Sequence, residues 1–241
     1  MTYSRAADHY DLLYAWKDYA AEAALIRDIV ARRQPAARTL LDVACGTGQH
    51  LAHLRAWYEV EGVDAEPRLL DVARGRLPGI PLHEADMRDF DLGGRFDVVT
   101  CLFSSIGYMH TPDDLERAIA AMARHLQPGG VLLVEPWLSP ERFDPAHIGG
   151  PTVGKGDQVA VVRMNSSRVE GRLSVMDFHY LVGRPGTVEY VTETHVLALY
   201  AAEEYSDALA AAGLDVEHDP EGPMGRGLWI GVKKEYQQAR T

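Results

Sequence analysis

Five short apolar runs, separated by segments with helical spacing, organise the first half of the chain. The run LLDVA at residues 40–44 carries no apolar/polar alternation, the pattern of a strand covered on both faces. WYEVEGVD closes a second strand at Val63-Asp64, Ile80 to Glu84 gives a third, FDVVTCLF at 96–103 a fourth and VLLVEPW at 131–137 a fifth. Between them, residues 19–33 place Leu25, Ile26, Ile29 and Val30 on one helical stripe, and residues 49–56 and 66–76 read as helix. A further helix opens on Thr111-Pro112-Asp113-Asp114: a hydroxyl cap, a first-turn proline and two acids set against the helix dipole. Leu115, Ile119, Met122 and Leu126 carry it on until Gln127-Pro128-Gly129-Gly130 stops it. Strands alternating with helices predict a mostly parallel sheet with helices on both faces.

The period then changes. Three strand-like runs fall between residues 157 and 200, with turns at Glu170-Gly171 and at Gly183-Arg184-Pro185-Gly186. They predict an antiparallel β insertion, entered through the glycine-rich loop HIGGPTVGKGD. Residues 202–212 return to helix, and LDVEHD and GLWIGV read as an antiparallel hairpin finishing the main sheet. The expected fold is α/β, a Rossmann-like sheet with an inserted antiparallel β-sheet. Residues 1–138 form the α/β core with an N-terminal helical segment, 139–200 the insertion, and 201–241 the helix and strands that complete the core.

Charge changes the picture more than composition does. A net charge of −11 over 241 residues argues against broad attraction to nucleic acid or anionic lipid, while leaving room for a local arginine cluster. The opening MTYSRAADHYDLLY has no basic region followed by an apolar stretch, and no run reaches the length of a membrane span. Cys45 and Cys101 are the only cysteines, so no disulfide framework exists and a cytoplasmic location is expected.

Candidate chemistry begins directly after the first strand, in ACGTG. Gly46 and Gly48 permit a sharp turn and a close approach to bare backbone, and the helix start behind them offers free N–H groups. That is the opening of a nucleotide-type site, for which two cofactors compete. The dinucleotide fingerprint needs a third Gly or Ala where this chain has Leu51. S-adenosylmethionine (SAM) has no pyrophosphate and needs less of that geometry. Three acids favour it: Asp42 before the turn, Asp64 ending the second strand, and Asp86 after the third. Asp64 is placed to accept from both ribose hydroxyls, and Asp86 from an adenine amino group with Met87 against the ring. Asp113 and Asp114, near His110, are explained by the helix start, so no metal site is expected.

Taken together, LLDVACGTG, VEGVDAE, HEADMRDF, VTCLFSSIGYM and LQPGGVLLVEPW resemble class I SAM-dependent methyltransferases. With the β insertion and GPMGRGLW, nearly the whole chain resembles the sugar N,N-dimethyltransferases that make dimethylamino deoxysugars such as desosamine and mycaminose on dTDP. The resemblance implies SAM contacts at Tyr14, Ala44, Gly46, Asp64, Asp86 and Met87. Relatives commonly carry Glu where this chain has Asp64, and a longer loop before their Lys-Asp-Tyr; Lys17 is the candidate for the methionine carboxylate. Tyr108 falls where the family has a His or Tyr near the reacting nitrogen. An unperturbed phenol, with a pKa of about 10, suits orientation and hydrogen bonding better than proton abstraction.

For the two phosphates of a dTDP-sugar, Arg163 and Arg226 are the candidates, since guanidinium binds phosphate in two-pronged fashion. Ser166 adds a hydrogen bond, Trp137 packs on sugar or thymine, and Tyr3 and His179 complete the candidate acceptor set. The implied activity is successive methylation of the amine of a dTDP-linked amino-deoxysugar, by a homodimer. The alternatives are another small acceptor, whether a sugar hydroxyl or a non-sugar amine, and a SAM-binding protein without turnover.

Overall fold

The computed structural model describes residues 9–234. Five parallel strands form the body of the main sheet: β1 (Thr39–Val43), β2 (Glu59–Asp64), β3 (Leu82–Glu84), β4 (Phe96–Cys101) and β5 (Leu126–Val134). A second sheet holds β6 (Gly149–Lys155), β7 (Ala160–Glu170), β8 (Leu173–Arg184) and β9 (Thr187–Ala198), antiparallel and in sequence order. The hairpin of β10 (Leu214–Asp219) and β11 (Leu228–Lys233) then joins the main sheet antiparallel to β5, giving the order β10-β11-β5-β4-β1-β2-β3. This is a Rossmann-like α/β sheet with an inserted antiparallel sheet.

Coverage on both faces explains why the core strands lack alternation. Leu40, Val60, Val98, Val131 and Leu133 pack with Ile26, Ile29, Leu51, Leu54 and Leu70, from α2 (Tyr19–Ala31), α3 (Gln49–Leu54) and α4 (Pro67–Arg76). The intervening Leu41, Val43, Val99, Cys101, Leu132 and Val134 meet Leu115, Ile119, Met122 and Leu209, from α5 (Pro112–Arg124) and α6 (Ala202–Ala211). Caps fix the helix starts as the sequence indicates. The Asp18 carboxylate accepts from Ala21 N at 2.9 Å, and the Thr111 hydroxyl from Asp114 N at 3.1 Å.

Several details differ from the sequence expectation. The helix after the glycine turn stops at Leu54, two residues early. β4 ends at Cys101, because Phe103 and Ser104 take left-handed φ of 54° and 63°. β5 begins at Leu126, running through the Pro-Gly-Gly segment read as a stop. Most consequentially, the glycine-rich entry loop is itself a strand, β6, at the sheet edge where Pro151 and the glycines do little harm.

β1 sits between β2 and β4, so the strand order reverses there and a crevice opens at the carboxyl ends of β1 and β4. The insertion sheet closes the far side. Its inner face carries Val161, Tyr180 and Val182 against Leu13 of the short helix α1 (Tyr10–Leu13), which lies so close that a Cβ on Gly154 would come within 2.7 Å of the Leu12 backbone. No helix among the described residues is long and apolar enough to cross a membrane.

Candidate functional site

The turn after β1 is shaped by left-handed backbone at Ala44, Gly46 and Gly48, with φ of 59°, 56° and 75°. Gly48 is tight: a Cβ there would lie 2.7 Å from Leu77 Cδ1. Gly46 is open, with nothing within 4 Å of an added Cβ. Its N–H donates to Asp64 Oδ2 at 2.7 Å, and the N–H of Glu66 donates to Oδ1 at 2.8 Å. Asp64 therefore braces the turn from below; burial raises its pKa and these two N–H groups pull it back. Glu66 contributes something the sequence reading passed over. Its Oε2 is buried at the crevice wall with no hydrogen-bond partner among the described residues. A bare backbone and an unsatisfied acceptor, both on residues that line one crevice, fit a ligand that carries vicinal hydroxyls, as the ribose of SAM does.

At the end of β3, the Asp86 carboxylate accepts from its neighbour Arg88 at 2.9 Å (Nε) and 2.6 Å (Nη2). That clamp lowers its pKa. The clamp fixes the carboxylate at the cavity rim next to Met87.

A single cavity of about 990 Å³ runs from these strand ends to the insertion sheet. Tyr14, Ala44, Gly46, Asp64, Asp86, Met87, Tyr108, Trp137, Arg163 and Arg226 all line it, so most of the sequence-derived set converges. Arg163 is held between the rings of Tyr14 and Phe178, at 5.1 and 4.8 Å, and donates to the Tyr14 hydroxyl at 2.9 Å. Trp137 is anchored by its indole N–H on Ser174 at 3.0 Å. Tyr108 lies in a 3-10 turn (Ser105–Tyr108), its hydroxyl 2.8 Å from Nδ1 of His195. His195 is a cavity residue that sequence reasoning missed, because one histidine in an alternating strand carries no distinguishing pattern.

Several expectations need correction. Lys17 does not line the cavity: its side chain is 1% exposed, ion-paired with Glu22 and lying 4.5 Å from the Phe103 ring centre. Glu22, which also meets His50 at 2.8 Å, thus takes up the charge assigned to a methionine carboxylate. Ser166 and His179 point away from the cavity, on the outer face of the insertion sheet. Strand alternation turns Arg163, Asn165 and Ser167 inward and Ser166 outward, with Asp177 as its cross-strand neighbour. His179 instead stacks on Tyr190 outside. Tyr3 lies outside the described residues.

Arg226 reaches the cavity but spends its charge internally. Nη1 donates to the Ser104 hydroxyl at 2.9 Å and lies 3.9 Å from Oε1 of the fully buried Glu135. Glu135 accepts from Phe103 N at 2.7 Å, so the pair holds the left-handed turn after β4. Arg142, also missed, lines the rim and donates to Gly225 O at 2.8 Å.

A parallel sheet that reverses at a non-pyrophosphate glycine cradle, with acids at the next two strand ends, is the arrangement of class I SAM-dependent methyltransferases. A methyltransferase-domain model matches residues 40–130. Several relatives match over nearly the full length, two of them as follows. The dTDP-3-amino-3,4,6-trideoxy-alpha-D-glucopyranose N,N-dimethyltransferase of Streptomyces venezuelae is 45% identical over 94% of this chain and 97% of its own. The dTDP-4-amino-2,3,4,6-tetradeoxy-D-glucose N,N-dimethyltransferase of Saccharopolyspora spinosa is 43% identical over 94% and 92%. The SAM-bound structure of CalS10, an amino pentose methyltransferase from Micromonospora echinaspora, superposes with a TM-score of 0.83 at 40% identity, covering 90% of this chain and 92% of that one. The chain belongs to the family of dTDP-aminosugar N,N-dimethyltransferases, enzymes that use SAM.

Proposed function

We propose that this protein methylates, twice in succession, the amine of a dTDP-linked amino-deoxysugar in the making of a natural-product sugar. The observation that carries this reading is the continuity of one cavity, from the acids at the strand ends to a wall bearing Tyr108 and Arg163. When bound, SAM supplies a methyl group on a sulfonium, open to in-line attack by a neutral amine. The open backbone at Gly46, with Asp64 and Glu66, holds the ribose side; Asp86 and Met87 hold the adenine; Ala44 and Tyr14 close over the cofactor. Trp137 and Phe178 pack on the acceptor and exclude water, which keeps the amine lone pair aligned rather than solvated. Arg163, oriented by two aromatic rings, takes the pyrophosphate, and Arg142 lines the same cavity. The Tyr108 oxygen orients the nitrogen.

Residues Val153, Val162, Leu181 and Tyr190 are cross-strand neighbours on the outer face of the insertion sheet. An apolar row four strands wide, exposed at Val153, Leu181 and Tyr190 and half-buried at Val162, supports a homodimer through this face. The cytoplasm is the compartment in which both cysteines stay reduced.

Mass spectrometry of the purified protein with SAM and a panel of dTDP-3-amino and dTDP-4-amino deoxysugars tests the proposal. Gains of roughly 14 and then 28 Da are expected from the cofactor's chemistry. SAM binding without any methylated sugar would remove the acceptor and leave the cofactor half standing.

A further inference from the structure

We propose that His195, acting through Tyr108, carries away the proton that each methyl transfer leaves on the acceptor nitrogen. This rests on the aminosugar reading above. The geometry is a file of three groups leading from the cavity into the insertion sheet. Tyr108 O–H lies 2.8 Å from His195 Nδ1, and His195 Nε2 lies 3.7 Å from Glu193 Oε2. Only 1% of the imidazole side chain is exposed, and Phe178 packs edge-on at 4.7 Å, so bulk water has little direct access.

The chemistry of double methylation gives such a file its use. In each transfer the N–C bond forms as the sulfonium S–C bond breaks, and positive charge moves from sulfur to nitrogen. The first product, a secondary ammonium, has no lone pair for a second attack until it loses a proton. That proton passes to the Tyr108 oxygen as the phenolic proton passes to His195 Nδ1. The imidazolium then passes its Nε2 proton to the Glu193 carboxylate, whose Oε2 lies 3.7 Å away, and no phenolate accumulates. Among the described residues, the charged and titratable groups facing the imidazole include Tyr108 from the turn after β4, Glu193 from β9 and Arg163 from β7; its β8 neighbours, Met176 and Phe178, do not titrate. Burial lowers the His195 pKa, Glu193 opposes that and Arg163 adds to it, so the ring rests neutral and able to accept.

His195→Gln keeps an acceptor for the Tyr108 hydroxyl but cannot hold a proton. Its rate near pH 7 should fall about tenfold or more, monomethylated sugar should accumulate, and the loss should shrink above pH ~9 as the ammonium ionises in bulk water. KM for both substrates and the melting temperature should be unchanged. Tyr108→Phe should reproduce the rate loss, the monomethyl accumulation and the pH dependence, with a higher KM for the sugar nucleotide because the Tyr108 oxygen also orients the nitrogen. The double variant should be no slower than Tyr108→Phe, which keeps the test intact if one variant folds poorly. Independently of turnover, the imidazole nitrogen resonances of His195 should move in Tyr108→Phe. An unaltered mono-to-dimethyl ratio and pH profile in His195→Gln, or a loss equal at every pH, would overturn the relay. If the unaltered protein adds only one methyl, the pH profile alone decides. Absence of product with the unaltered protein would instead refute the aminosugar reading.

Discussion

At Asp42, burial works against charge. The carboxyl lies beneath the glycine turn, 2% exposed, and desolvation pushes its pKa up to about 6, while His50 and the Thr100 hydroxyl at 2.7 Å pull the other way. A raised acid pKa stabilises the fold while the group is protonated, below the unfolded value near 4. That contribution is lost as pH rises through about 6. Asp42→Asn should therefore leave stability nearly unchanged at about pH 3, below the unfolded value, and raise it by about 2–3 kcal/mol at pH 8, read from urea unfolding at both values. A penalty that grows with pH would mean the ionised form is the stabilising one. At this scale the sequence was legible wherever a residue type carried its own signal, such as glycines in a turn or acids after apolar runs. It was silent on Glu66 and His195, whose roles depend on where an unpaired oxygen or a ring nitrogen ends up in space.

Among the elements, the turn after β4 shows how a candidate ligand also serves as a strut. Arg226 was singled out in sequence as a phosphate binder, yet its nearest anion is the fully buried Glu135, which in turn secures the Phe103 N–H. Arg226→Ala should lower stability by about 2 kcal/mol, because it strands a buried carboxylate. Glu135→Gln in the same background should restore part of it. Denaturant titration separates this from direct phosphate binding, where only the sugar-nucleotide KM would rise. The core strands were readable because two-sided burial leaves a continuous apolar run. β6 was not: three glycines and a proline in GGPTVGK look like loop, and only the partner strand β7 makes them an edge strand. The same limit misplaced Ser166 and His179, since the facing direction of a strand is set by the whole sheet's register and not by its own alternation.

For the whole molecule, the row Val153, Val162, Leu181 and Tyr190 sits on a chain with a net charge of −11. Like-charged copies repel unless an apolar face draws them together. If the outer face pairs copies as proposed, substitution of the half-exposed Leu181 by Asp (Leu181→Asp) should shift the protein from dimer to monomer in sedimentation velocity without lowering the melting temperature of the monomer. A sedimentation coefficient independent of this substitution would locate any interface elsewhere.

The two faces of the insertion sheet carry separable information. In β7, Arg163, Asn165 and Ser167 look into the cavity, while Val162, Met164 and Ser166 look out. A designer wanting a different acceptor can rewrite the odd positions and leave the even ones untouched, so that the cavity wall is retuned without disturbing the face proposed to pair copies. One eleven-residue strand thus holds two texts, interleaved and independently editable.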